Sequence, residues 1–201
     1  MKLYYFPGAC SFAPHLVARE AGIPLDLEKV DLGSRRTASG EDYLSVNPKG
    51  YVPALRLGDG SVLTEVSALI QYLADLAPAS GLIPAAGTME RYRVLEWIGY
   101  IATEIHKGFG PLWNAKLAPE ARTAAITALA RRLDLVEQVL ARQPYLAGPD
   151  FSVVDAYLFT VASWAPWVKL DLAPWPKLAE FLARVAARPP VQEALKAEGL
   201  A

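Results

Sequence analysis

The chain carries a single cysteine, Cys10, and it stands where a short β-prone run meets a helix. The run KLYYF (2–6) is stopped by Pro7-Gly8. The following FAPHLVAREA (12–21) places Phe12, Leu16 and Ala13, Val17, Ala21 on one stripe at helical spacing, with Ser11 as N-cap and Gly22 as the stop. A thiol just ahead of a helix N-terminus meets backbone N–H groups and the positive end of the macrodipole. Both favour the thiolate near neutral pH. Position alone leaves a second reading open, because a lone cysteine often packs as a small buried hydrophobe. Ser11, Phe12 and Ala13 follow Cys10, so there is no CxxC and no dithiol exchange within one chain.

Three further groups could act on a ligand. Val52-Pro53 opens a strand, and a cis bond there would aim the backbone N–H and C=O of Val52 outward; an ordinary strand-initiating proline is the alternative. Glu65 lies between a strand and a helix. Its carboxylate suits an amine, while the N–H groups of Val66 and Ser67 suit a carboxylate; an acid favoured by the helix dipole is the alternative. His106, in TEIHKGFGPLW (103–113), offers an imidazole for proton transfer, or is simply a polar helix residue. There is no HExxH and no Cys/His metal spacing, so no metal is expected.

These groups need elements to hold them. LDLEKVDL (25–32) alternates apolar and charged residues as a half-exposed strand does, and the polar stretch 33–42 reads as a loop. PALRL (53–57), Gly58-Asp59-Gly60 and SVLT (61–64) read as a hairpin, followed by a helix to about Leu76. The Pro- and Gly-rich 77–87 reads as a linker. Beyond it the pattern is helical: 88–113, 120–142 with Ile126, Leu129, Leu133, Val136 and Leu140 in steps of three and four, 152–165, 175–188 and 191–198. Ser152 and Asp155 resemble a capping box. With 53% apolar and 20% charged residues, the 201-residue chain can bury a sizeable core. A net charge of −1 without clustered Lys/Arg argues against nucleic acid. The most apolar window, 151–168, contains Asp155 and Pro166 and reads as a core helix rather than a membrane span. No secretory signal opens the sequence, so a cytoplasmic location is expected.

In order, YYFPGACSFAPHLVAREAG, NPKGYVPAL (47–55), LTEVSALIQYLAD (63–75), TEIHKGFGPLW, FSVVDAYLF (151–159) and RPPVQEALKAEGL (188–200) resemble a bacterial beta-class glutathione S-transferase over essentially the whole chain. The resemblance implies an α/β thioredoxin-like N-terminal domain with a mixed four-stranded sheet over 1–77 and a linker at 78–87. It implies an all-α domain over 88–201 carrying the electrophile site. Glutathione is then the co-substrate, a small electrophile its partner, and the assembly a homodimer meeting through 88–113 and 120–142. Residue by residue, Cys10 faces the glutathione sulfur and can form a mixed disulfide with it. Val52, before cis-Pro53, pairs with the cysteinyl backbone. Glu65 and Val66 hold the γ-glutamyl end, and Arg35 stands where a lysine for the glycine carboxylate is frequent. Thr103, Glu104, His106 and Lys107 line the site from the helical domain, with His106 and Cys10 catalytic. Phe109, Leu112, Trp113 and Trp164 face the electrophile, Tyr5 is structural, and Ser152 to Asp155 is a folding element. Two departures stand out: Val66 replaces a usual Ser or Gly, and Gly99 replaces a frequent Asn. Dehalogenation or thiol reduction in a catabolic pathway is the enzymatic alternative. A non-enzymatic regulatory binding protein is the alternative of another class.

Overall fold

The computed structural model describes residues 1–201, which divide into two compact units, 1–83 with 188–201, and 84–187. The first unit is built on a sheet of strands β1 (Lys2–Tyr5), β2 (Asp26–Asp31), β3 (Arg36–Thr37), β4 (Ala54–Arg56) and β5 (Val62–Thr64), in the order β3-β2-β1-β4-β5. β1 runs parallel to β2 and antiparallel to β4, and β4 and β5 form the hairpin expected from Gly58-Asp59-Gly60. Leu3 at the sheet centre is opposite Leu27 on one side and Leu55 on the other. The sheet therefore has five strands, not four: in the polar stretch read as loop, Arg36–Thr37 pairs antiparallel with Val30 and Asp31. Two residues carry no period-2 signal, which is why the edge strand is invisible to pattern reading.

Helices α1 (Phe12–Glu20), α2 (Tyr43–Val46) and α3 (Val66–Asp75) complete this unit together with the last helix, α9 (Pro189–Glu198). Gly22 ends α1 at φ +68°, the left-handed conformation that glycine adopts without a Cβ penalty. Ser11 occupies the N-cap position of α1, but its hydroxyl does not cap. It turns back to Phe6, accepting from the Phe6 N–H and donating to the Phe6 carbonyl, both at 3.2 Å. Residues 188–201, grouped with the helical domain on sequence, pack in the first unit: Arg188 forks onto Glu20 at 2.6 and 2.8 Å, and His15 meets Glu198 at 2.8 Å. Pairings across about 180 residues leave no local pattern.

The second unit is helical. α4 (Met89–Tyr100) continues into a π-helical turn, Ile101–His106, then α5 (Lys107–Phe109) and a 3₁₀ turn, Gly110–Trp113. α6 (Pro119–Leu140) buries Leu129, Leu133, Val136 and Leu140, four residues of the stripe read from sequence. Each such side chain contributes roughly 1.5–3 kcal/mol when fully buried. All ten residues of α7 (Val153–Ala162) are buried. The N-terminus of α8 (Pro176–Ala186) is closed by Glu137 of α6, whose carboxylate accepts from the Lys177 and Leu178 N–H groups, each at 2.9 Å. An anion there satisfies orphan donors and meets the positive dipole end. No helix is long and apolar enough to cross a membrane.

Candidate functional site

In the first unit the loop from Asn47 to Pro53 gathers the residues singled out by type. Its shape is set by Tyr43 and Asn47, whose hydroxyl and amide both donate to the Tyr51 carbonyl at 2.7 Å. Burial pushes the Tyr43 phenol up to about 12, so it stays a neutral donor. The Val52–Pro53 bond is cis. The Cys10 thiol donates to the Val52 carbonyl at 3.2 Å. The Val52 N–H is used by no other group of the chain. This is an open backbone edge with a sulfur beside it, the geometry that lets an extended peptide add as a strand. Cys10 is half-buried, so the reading of a fully buried packing residue does not hold.

Two cations and one anion flank that edge. Arg35, held at φ +59°, donates through Nη1 to the Gly50 carbonyl. Lys49 Nζ lies 2.7 Å from Glu65 Oε1 and 2.9 Å from Thr64 Oγ1. Glu65 itself sits at φ +75°, a conformation that costs a non-glycine residue about 1–3 kcal/mol and that clusters at functional sites. That backbone turns its carboxylate outward, 63% exposed, at the N-terminus of α3, where the first N–H groups have no helical partner. Lys49 was not singled out by sequence reading. The NPKG run immediately before Tyr51 places this lysine within the same loop.

Val66 is 6% exposed and belongs to the buried face of α3. It is a packing residue, and the backbone N–H is what it can offer a ligand. Val66→Ser should therefore lower stability by about 1–3 kcal/mol, by exchanging a buried branched side chain for a smaller polar one. Denaturant melts of both proteins check it; an unchanged midpoint would show that the side chain is not part of the packed face.

In the second unit Thr103, Glu104 and His106 fall in the π-helical turn, with Lys107 just after it. Such turns are rare and frequent at functional sites. His106 Nδ1 lies 2.7 Å from the Tyr157 hydroxyl, and its ring packs edge-on to Trp164 at 5.0 Å. Glu104 accepts from Arg132 Nε of α6 at 3.0 Å, and the Thr103 hydroxyl donates to the Gly99 carbonyl at 3.0 Å. Space is open beside Gly99, so the small residue there is not forced by packing. Phe109, Leu112 and Trp164 are buried, whereas Trp113 and Trp167 are about half exposed. The two exposed indoles, with Leu117, Arg122 and Lys169, line a cleft of about 400 Å³. No three His, Cys, Asp or Glu side chains converge as a metal set.

Comparison with known proteins gives a consistent answer. The family model for the glutathione S-transferase N-terminal domain matches residues 8–76, and that for the C-terminal domain matches 100–189. Glutathione S-transferase GstA of Escherichia coli O157:H7 is 47% identical over 200 residues, covering 100% of both chains. A sphingomonad glutathione S-transferase solved in complex with glutathione is 46% identical, with a TM-score of 0.95 and 100% of both chains covered. A bacterial beta-class glutathione S-transferase of Sphingomonas chungbukensis is 44% identical, with a TM-score of 0.96 and 100% of both chains covered.

Proposed function

Since this chain belongs to the glutathione S-transferase family, we propose that it is a beta-class enzyme that joins glutathione to small electrophiles and, through Cys10, exchanges disulfides with glutathione. The observation that carries the reading is the position of the Cys10 sulfur, 3.2 Å from the Val52 carbonyl on an open backbone edge. Glutathione is an extended tripeptide with two carboxylates and one ammonium. In this reading its cysteinyl backbone pairs with Val52 beside Pro53, which brings its sulfur to Cys10. The γ-glutamyl ammonium competes with Lys49 for Glu65, and the neighbouring carboxylate takes the N–H groups of Val66 and Ser67. The glycine carboxylate takes Arg35. Glu65, Arg35 and the first N–H groups of α3 thus meet the ammonium and the two carboxylates of the ligand.

His106 is assigned as the second catalytic residue, with Thr103, Glu104 and Lys107 as binding residues, on the resemblance. A neutral imidazole can hold or pass the thiol proton. The half-exposed Trp113 and Trp167 suit a flat apolar electrophile. A homodimer in the cytoplasm, binding neither nucleic acid nor membrane, completes the reading. Met89 and Tyr92 of α4, 65% and 56% exposed, supply apolar surface for its interface. Purified protein assayed with glutathione against a panel of electrophiles and glutathionyl disulfides tests the proposal. Turnover of at least one class, with retention on glutathione-agarose, is expected; neither retention nor turnover would contradict it.

A further inference from the structure

We propose that Glu198, the last residue of α9, is a positioning residue for the Cys10 thiol. The proposal rests on the reading of Cys10 as the reacting sulfur. The loop Pro7–Cys10 is short, and the Phe12 and Ala13 N–H groups bond back to the Ala9 and Cys10 carbonyls at 2.9 and 3.3 Å. Ala9 N–H bonds to the Phe6 carbonyl at 3.0 Å, and Ser11 clasps the Phe6 peptide. A further hold comes from the far end of the chain. Glu198 Oε2 accepts from the Gly8 N–H at 3.0 Å, and both groups are buried. Gly8 lies at φ +69°, so this bond restrains a residue with wide conformational freedom two positions before Cys10.

The carboxylate is itself held. His15 Nδ1 lies 2.8 Å from Glu198 Oε1, with the two side chains 1% and 0% exposed. With the Nδ1 proton donated to Glu198, His15 Nε2 is free to accept from Arg19 Nε at 3.4 Å, which fixes the tautomer. Arg19 in turn faces Glu193 of α9 at 3.7 Å. Arg188 and Glu20 tie α9 to α1 separately, through a two-pronged ion pair. A buried carboxylate is costly, and here one of its oxygens is devoted to the backbone of the cysteine loop.

The step that depends on this placement is disulfide exchange. The Cys10 thiolate attacks one sulfur of glutathione disulfide, a Cys10–glutathione S–S bond forms, and the original S–S bond breaks. One glutathione leaves as thiolate, and the Cys10 proton goes to solvent. In-line attack demands a fixed sulfur, and a shift of about 1 Å can cost on the order of a hundredfold.

The experiment follows glutathionyl uptake from glutathione disulfide by intact mass over time, with melting curves on every variant. Glu198→Ala should slow uptake at least about tenfold. Glu198→Gln, which keeps an oxygen for the Gly8 N–H, should regain most of the rate. Arg188→Ala, which loosens α9 without touching Gly8, should lower the melting temperature and leave the rate within about twofold of the parent. If Glu198→Ala does not fold, Glu198→Asp replaces it, being one methylene too short to reach Gly8 and His15 together. The proposal is overturned by a Glu198 variant within twofold of the parent, by equal slowing in Arg188→Ala, or by a glutamine variant no faster than the alanine one. A parent protein that takes up no glutathionyl group sinks the reading of Cys10 first and this proposal with it, before any variant is compared.

Discussion

Replacing Asp155 by alanine should cost the protein about 2–4 kcal/mol at pH 7, and the loss should grow as the pH falls. Asp155 is fully buried at the start of α7. Its carboxylate accepts from the Leu146 N–H at 2.8 Å, the Ser152 N–H at 2.9 Å and the Ser152 hydroxyl at 2.7 Å. It therefore closes a capping box and ties the preceding loop to the helix. Truncation leaves two buried N–H groups without an acceptor, and each costs about 1–3 kcal/mol. The pH dependence follows from burial, which pushes the carboxyl up from 3.8 to about 6 against the hydrogen bonds that favour its ionised form. Between those values the folded chain holds a proton that the unfolded chain has lost. Stability from this group is thus fully present below about pH 4 and declines as pH rises through 6. The gap between parent and variant should widen by up to about 3 kcal/mol on going from pH 7 to pH 4. Urea melts of both proteins across that range measure it. A pH-independent difference would mean that the carboxyl is not held in a desolvated site.

Glu65→Gln should weaken glutathione binding by about tenfold to a hundredfold while leaving stability within about 1 kcal/mol. The two effects separate because of where Glu65 sits. Its pairing with Lys49 is exposed on both sides, 63% and 52%, and such pairs contribute little to folding. A ligand ammonium that lies against the same carboxylate excludes water from it, and the charge-assisted bond strengthens. Glutamine keeps the shape and the φ +75° backbone but loses the charge. Calorimetric titration with glutathione reads the affinity, and a dissociation constant within twofold of the parent would leave Glu65 as a helix-terminal residue only.

What could be read from the residues alone was local. The Pro7-Gly8 stop, the Gly58-Asp59-Gly60 hairpin, the stripe of α6 and the Ser152–Asp155 box each have a signature within a few residues, and each appears in the structure. Cys10, Val52 and Glu65 were singled out by type and all come to one loop in the first unit. What escaped reading depends on distance along the chain or on geometry finer than a pattern. The hydroxyl of Ser11 prefers the Phe6 peptide to the helix it precedes. The turn holding Thr103, Glu104 and His106 is π-helical, and helical periodicity does not distinguish it from the α-helix on either side. Glu198 sits 183 positions from His15, and nothing in the spacing announces that pair. The lysine at position 49 is exposed, and by residue type alone a surface charge does not stand out; only its place in the NPKG turn marks it.

The proposed chemistry meets its most direct test at Cys10. Purified protein incubated with glutathione disulfide and weighed intact should gain one glutathionyl group, and Cys10→Ala should gain none. Because the chain has one cysteine, the site of any such adduct is unambiguous. An unchanged mass for the parent protein, under conditions that modify an unfolded cysteine, would contradict the claim that this sulfur is presented to glutathione.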